Sequence, residues 1–478
     1  MTISIGGNEK ELNSEEVGQM TEINPKNIRS FSRRRFLEMM ASLSLVSASG
    51  VWAGQQFDLP DLVIADSDMP KIKVTMAAKK AALRHQCRPD MARFSGKHMA
   101  FKVISEELGA PSASEIMVNQ IMKNVRAGKI GKGVSAKDPS EARMFLALNT
   151  AATTWNMIVG PYGENHENMG FLGWLPQGLP PELTANPVSL KDKRDTSKKI
   201  KAIAAYAGSD KTGITEIDRR WVYSSTCKNG EAPGPAISKP ILFKKTDQPK
   251  ETEKALILPD SVRYAVVMLF VQPRALHQID PATLANNASV NQGYSQMGIA
   301  SVSLAQAIRS LGYVAIPCMN DTAMSVPLSI DAGLGELGRL GFLITPEFGP
   351  HVRIAKVLTN MPMATDKPIE FGVTEYCRDC GICARECPSG AISPDKEMTF
   401  EPPPGADPCG NPGALKWYVD GKKCKRWWLE SGGGCSRCVN VCPYTRVTMG
   451  DVLPPGQIRP EDFWDLDHKA YGRRDITY

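Results

Sequence analysis

Two cysteine runs near the C-terminus carry the most explicit chemistry in this 478-residue chain. The first is Cys377-x2-Cys380-x2-Cys383-x3-Cys387-Pro388, and the second is Cys424-x10-Cys435-x2-Cys438-x3-Cys442-Pro443. Two-residue gaps let neighbouring sulfurs converge on one inorganic cube. A run closed by Cys-Pro marks a chain that holds two [4Fe–4S] clusters, the fourth cysteine of each run serving the other cluster. Crossed in this way, Cys377, Cys380, Cys383 and Cys442 hold one cluster, and Cys424, Cys435, Cys438 and Cys387 hold the other. The wide gap after Cys424 departs from the compact run, so Cys409, between the runs, is a rival for its place. Disulfides and zinc are the competing uses of eight cysteines, but zinc sites are built from paired Cys-x2-Cys units rather than triple runs with a trailing Cys-Pro. Cys87, Cys227 and Cys318 read as small buried hydrophobes.

The other end of the chain reads as an export signal. Ser32-Arg33-Arg34-Arg35-Phe36-Leu37-Glu38 has the form of a twin-arginine motif, followed by a moderately apolar stretch from Met39 to Ala53. That stretch is too short to span a bilayer and ends on the small-residue cleavage candidate Val51-Trp52-Ala53. An amphipathic basic helix is the competing reading, but the order of charge, apolar run and small residues fits a signal. Twin-arginine export carries folded proteins, the route a chain needs if its clusters are inserted in the cytoplasm and used outside. The net charge of +6 is spread among acidic residues, with no basic stripe, so no nucleic-acid partner is expected. No later segment is apolar enough to cross a membrane, and membrane attachment would need a partner.

These residues must be positioned by a large core, which a chain of this length can bury in two or three domains. Residues 1–53 are the targeting segment, and 54–190 read as an irregular N-terminal region with few signals, packing on the catalytic core downstream. From 191 to 365, helical and extended patterns alternate. Lys198 to Ala207 looks helical and ends at Gly208, and Thr212-Gly213-Ile214 begins an extended piece. Ile241-Leu242-Phe243 and Ala265 to Val271 read as buried strands. Val302, Leu304, Ala305, Ile308 and Leu311 recur at helical spacing before Gly312, and Val314 to Pro317 reads as a strand. The pattern predicts an α/β (α+β) core. Met361 to Pro368 looks like a linker, the two-cluster ferredoxin-like domain covers 366–447, and a tail runs from 448 to 478. Gly333-x-Gly335-x2-Gly338 matches a dinucleotide-binding glycine pattern formally but comes after no strand, so a turn or close-packed backbone around a cofactor is the better reading.

The layout resembles the respiratory reductive dehalogenases, the corrinoid-dependent organohalide reductases. The matching residues are the twin-arginine signal, Gly293-Tyr294-Ser295, Leu311-Gly312-Tyr313, Asn320-Asp321, Gly333 to Arg339, Gly349-Pro350-x2-Arg353, and Asp366-Lys367-Pro368-Ile369 leading into the first cysteine run. The resemblance implies a nitroreductase-like domain holding a cobalamin-type corrinoid, with one cluster passing electrons to cobalt and the other receiving them from a donor of the respiratory chain. It implies that Tyr294 is the proton donor, that Arg353 is the cation that lowers its pKa and attracts halide, and that Asn320 orients the tyrosine or substrate. Backbone around Gly333, Gly335 and Gly338 would contact the corrinoid. No Asp-x-His-x2-Gly motif offers cobalt a histidine; Asp465-Leu466-Asp467-His468 has the wrong spacing, in keeping with a base-off corrinoid. A small integral-membrane protein would anchor the exported enzyme to the outer face of the cytoplasmic membrane.

Two other functions compete. An epoxyqueuosine-reductase-like enzyme shares corrinoid and clusters but works on transfer RNA in the cytoplasm, which the export signal opposes. An exported electron-transfer subunit would have clusters and a docking scaffold but no corrinoid. Trp155, Trp221 and Tyr223 are candidates for a substrate channel or for core packing.

Overall fold

A computed structural model describes residues 2–5, 8–11, 75–76, 85–108, 113–159, 179–226, 238–273, 276–277, 279, 283–404 and 408–445. The twin-arginine motif, the apolar stretch after it, Cys227 and the tail from 448 lie outside the described residues. Thr2–Ile5 and Asn8–Glu11 pair antiparallel in one compact unit, and the described residues from 75 onward belong to a second.

The second unit is built on a four-stranded sheet in the order Ala315–Cys318, Val352–Thr359, Tyr264–Val271, Lys211–Glu216. Every pairing is antiparallel. The apolar runs therefore mark strands buried on both faces rather than parallel pairing. Along Tyr264–Val271 the side chains alternate between two cores. Ala265, Val267 and Leu269 pack with Trp221, Leu328 and Leu358 on one face. Val266, Met268 and Phe270 pack with Met297, Leu304 and Ile308 on the other. Ile241–Lys244 is a strand but lies outside this sheet, pairing parallel with Leu256–Pro259.

Lys193–Tyr206 is helical, with Asp192 accepting from the Arg194 and Asp195 amides at its N-terminus and Gly208 at φ 108° just past its end. The helix ending at Gly312 begins much earlier than its apolar periodicity suggests, running from Leu284 to Ser310 under a Thr283 cap. The region 54–190 is not irregular where described: Ala100–Leu108, Ala113–Arg126, Pro139–Val159 and Pro181–Ala185 are helices. Phe145 and Ala142 of the third pack on Leu284, Ala285 and Ala288 of the long helix. No helix among the described residues is long and apolar enough to cross a membrane.

Met361 to Pro368 has no regular structure, yet it is fixed rather than loose. Met361 and Met363 are buried in the core, and Asp366 accepts from the Ile214 amide at 2.7 Å and pairs with Lys201 at 2.6 Å. Beyond it, Val373–Cys380, Ile382–Arg385, Gly421–Ser431 and Arg437–Asn440 are short helices. Their core includes Ile369, Val373, Ile392 and Trp417 together with Leu340 and Ile344 from upstream, so the cysteine-rich segment shares its interior with the preceding fold.

Candidate functional site

Tyr294 projects from the long helix, Arg353 from the strand Val352–Thr359, and Asn320 from the turn after Ala315–Cys318. These three meet. The Arg353 guanidinium lies over the Tyr294 ring, 4.9 Å from its centroid, and Asn320 Nδ2 donates to the Tyr294 hydroxyl at 2.8 Å. Gly293 is what permits the stacking, because a Cβ there would meet Arg353 Cγ at 2.7 Å.

The turn that presents Asn320 is fixed from below. Tyr223 donates its hydroxyl proton to the Asn320 carbonyl at 3.0 Å. Asp321 accepts from the Met319 amide at 2.8 Å and from the Thr322 hydroxyl at 2.6 Å, and Thr322 sits in the left-handed region at φ 64°. A β-branched residue holds that conformation only where its surroundings impose it. Lys356, fully buried on the opposite face of the strand from Arg353, donates to the Met319 carbonyl and to Ser325 Oγ. Burial lowers the Lys356 pKa and raises that of Asp321, favouring the neutral form of each. Trp221 is a core residue, and the Trp155 side chain is outside the described set.

Gly333, Gly335 and Gly338 are explained by the chain packing on itself. A Cβ would strike the Lys367 carbonyl at 2.2 Å, the Ile344 carbonyl at 2.2 Å and Ile344 Cδ1 at 2.6 Å, respectively. Other buried polar atoms are better suited to a polar ligand, and two of the side chains that carry them, Gln272 and Arg353, lie against Gly293. Gln272 Nε2, both ring nitrogens of His277, Asn286 Oδ1, Gln296 Oε1 and Arg353 Nε are buried and have no hydrogen-bond partner among the described residues. Buried polar groups are otherwise nearly always bonded. An amide-fringed macrocycle would satisfy such a set, so these residues fit a corrinoid. Their elements gave little sequence signal, apart from the Asn286-Asn287 pair early in a helix, where asparagine is unfavourable.

The cysteines gather in two sets. Cys377, Cys380, Cys383 and Cys442 line one pocket with Arg339 and Tyr376. Burial, reinforced by Cys377 and Cys380, pushes Cys383 up to about 12; burial likewise pushes Cys442 up to about 12, with Cys377 and Cys383 adding to it. In the second set, burial, then the neighbouring Cys435 and Cys387, pushes Cys424 up to about 12. Burial, then Cys435, Cys424, Cys383 and Cys387, raises Cys438. Burial opposes ionisation of Cys387 too, but hydrogen bonds from Ser389 and the Ala391 amide outweigh it and lower that thiol. Cys424, on Gly421–Ser431, thus sits among the second set, whereas Cys409 lies in the turn Pro408–Gly410. Among the described residues no three His, Cys, Asp or Glu side chains close on a single metal ion. Thiolates of a cubane bind separate irons, and two sets of four cysteines suit two such clusters.

From the sequence, Arg339 marks only the end of a motif; in the structure it has a larger part. It is buried, donates to the carbonyls of Cys377, Arg378, Ser393 and Asp395, and stacks over Trp417 at 4.8 Å. Other ties between the cysteine segment and the upstream fold include Asn286 to the Gly434 carbonyl, the Gly434 amide to Asn287 at 2.6 Å, and Asn440 to the His277 carbonyl.

A family model described as a 4Fe-4S dicluster domain matches residues 376–446. A tetrachloroethene reductive dehalogenase from Sulfurospirillum multivorans is 38% identical over 338 residues, covering 68% of this chain and 66% of that protein. Its counterpart from Desulfitobacterium hafniense is 37% identical over 271 residues, covering 54% of this chain and 49% of that one. A solved reductive dehalogenase, whose structure is described as suggesting a mechanism for B12-dependent dehalogenation, shares the fold with a TM-score of 0.52 at 22% identity, over 83% of this chain and 47% of that one. The chain thus spans just under two thirds of the first relative and about half of the other two. With sequence similarity extending well beyond the cysteine runs, and with the same fold, the chain belongs to the reductive dehalogenase family.

Proposed function

We propose that this chain reductively removes halide from a chlorinated organic compound, R–X + 2 e⁻ + H⁺ → R–H + X⁻, as the terminal step of an anaerobic respiration. The observation that carries the reading is the contact of Tyr294 with both Asn320 and Arg353, in a fold whose interior holds polar atoms with no hydrogen-bond partner among the described residues. When bound, the corrinoid would supply a low-valent cobalt able to break the carbon–halogen bond, and the two clusters would supply its electrons. Gln272, His277, Asn286 and Gln296 would hold the corrinoid's polar periphery, and the two cysteine sets would hold the clusters.

Tyr294 delivers the proton from its hydroxyl to the substrate carbon. A phenol is weak enough an acid not to waste its proton, and the permanent charge of Arg353 stabilises the tyrosinate left behind. Arg353 also attracts the departing halide. Asn320 Nδ2 holds the Tyr294 oxygen in one orientation, and the buried Lys356–Met319 contact keeps Asn320 in place. The names of the two relatives make chlorinated ethenes the first substrates to test.

Export through the twin-arginine translocase, attachment to the outer face of the cytoplasmic membrane by a small membrane protein, and electron supply from the respiratory chain complete the reading. The Arg33-Arg34 pair and the apolar stretch after it support the export; the anchor and the donor rest on the family likeness. The test is halide release by the anaerobically reconstituted chain with corrinoid, a low-potential reduced dye and a panel of chlorinated ethenes, alkanes and benzenes. Corrinoid-dependent chloride release is expected. A preparation with full iron that takes up no cobalt would instead be an electron carrier.

A further inference from the structure

The segment Gly333 to Arg339 does more than turn the chain. Glu336 and Arg339, three residues apart, reach opposite ends of the helix Val373–Cys380, which carries Cys377 and Cys380. Glu336 Oε1 accepts from the Phe371 and Val373 amides at 2.5 and 3.3 Å, at the helix N-terminus. Arg339 donates from Nε and Nη2 to the Cys377 carbonyl at 3.0 and 2.9 Å and from Nη2 to the Arg378 carbonyl at 3.2 Å, in the last turn. Both charges have the sign that the helix dipole favours.

Arg339 is only 1% exposed, and all its hydrogen-bond acceptors among the described residues are neutral main-chain carbonyls. A guanidinium cannot be deprotonated in a protein, so a full positive charge sits in a low-dielectric interior. It lines the same pocket as Cys377, Cys380, Cys383 and Cys442, and Trp417 fixes its plane from one side. Net charge is one of the quantities that set the potential of an iron–sulfur cluster. Reduction adds one electron to an already anionic group, and a fixed cation favours the reduced form.

We propose that Arg339 is a positioning and potential-setting residue. It ties the helix that carries Cys377 and Cys380, and its buried charge makes the cluster of Cys377, Cys380, Cys383 and Cys442 easier to reduce. The inference rests on the assignment of those four cysteines to one cluster and deepens it.

The experiment is a mediated redox titration of the anaerobically reconstituted full chain, monitored by electron paramagnetic resonance, for wild type, Arg339→Gln and Arg339→Lys. Iron content and the wild-type cluster signals come first, because a wild type without two clusters would sink the cluster assignment rather than the role of Arg339. Arg339→Gln should shift one cluster's reduction equilibrium at least tenfold toward the oxidised form, about 59 mV for one electron, and leave the other cluster unmoved. Arg339→Lys keeps the charge and should stay within that tenfold of wild type. An unshifted Arg339→Gln, or equal shifts in both variants, overturns the proposal. If Arg339→Gln loses its iron, Arg339→Lys decides: iron retained at the wild-type potential supports the charge role, while a lowered potential or lost iron overturns it.

Discussion

Arg353 stacks over Tyr294 because the residue beside that tyrosine has no side chain: a Cβ on Gly293 would lie 2.7 Å from Arg353 Cγ. Gly293→Ala should displace the guanidinium and reduce turnover about a hundredfold, the scale expected of an ångström-sized misplacement. Alanine is the better helix former by about 1 kcal/mol, so global stability should hold. Wild-type kcat in a stable Gly293→Ala enzyme would show that the stacking is not needed.

Tyr294→Phe removes the proton and leaves the ring under Arg353. Loss of a positioned general acid should lower kcat by about a hundredfold or more, with iron and bound corrinoid unchanged by metal analysis. Retained turnover would exclude Tyr294 as the donor.

The choice between Cys424 and Cys409 reduces to iron counting. Cys424 lies close enough to Cys435 and Cys387 for both to oppose its ionisation. Cys424→Ser should lose or alter one cluster, whereas Cys409→Ser should keep all iron and an unaltered resonance spectrum. The reverse pattern would make Cys409 the ligand.

Acid should destabilise the fold through His85, whose ring lies 5.3 Å from that of Trp221. Burial, then the Lys416 charge, lowers its pKa from 6.5 to about 4. The unfolded chain takes up a proton there that the folded chain refuses. This contribution to stability is therefore full above about pH 6.5 and is lost as the pH falls toward 4. In urea titrations across that window, His85→Gln should show a flatter fall in midpoint than wild type. Identical slopes would remove His85 from the account.

Burial decides which elements were legible in the sequence and which were not. Ala265 to Val271 was readable because both faces of that strand are covered, leaving an unbroken apolar run. Its partner Val352–Thr359 was not, since Arg353 and Lys356 interrupt the pattern, one to reach Tyr294 and the other to hold Met319. The first turns of the long helix were hidden for a similar reason: Asn286, Asn287 and Ser289 are buried polar residues, bonded to Gly434 and Pro273 across the chain. The cysteine spacing was explicit. The meeting of Tyr294, Asn320 and Arg353 was legible only through family likeness, because it joins a helix, a turn and a strand far apart in sequence.

The clasp made by Arg339 also bears on how such a protein can be divided. The arginine lies upstream of the cysteine-rich segment, and every carbonyl it bonds among the described residues lies within that segment. A gene cut between the two would yield one piece with a buried cation stripped of its acceptors and another with an unfilled notch behind its first cysteine helix. The cysteine-rich segment is therefore not a detachable cartridge. Grafting it would require carrying the 333–339 segment along.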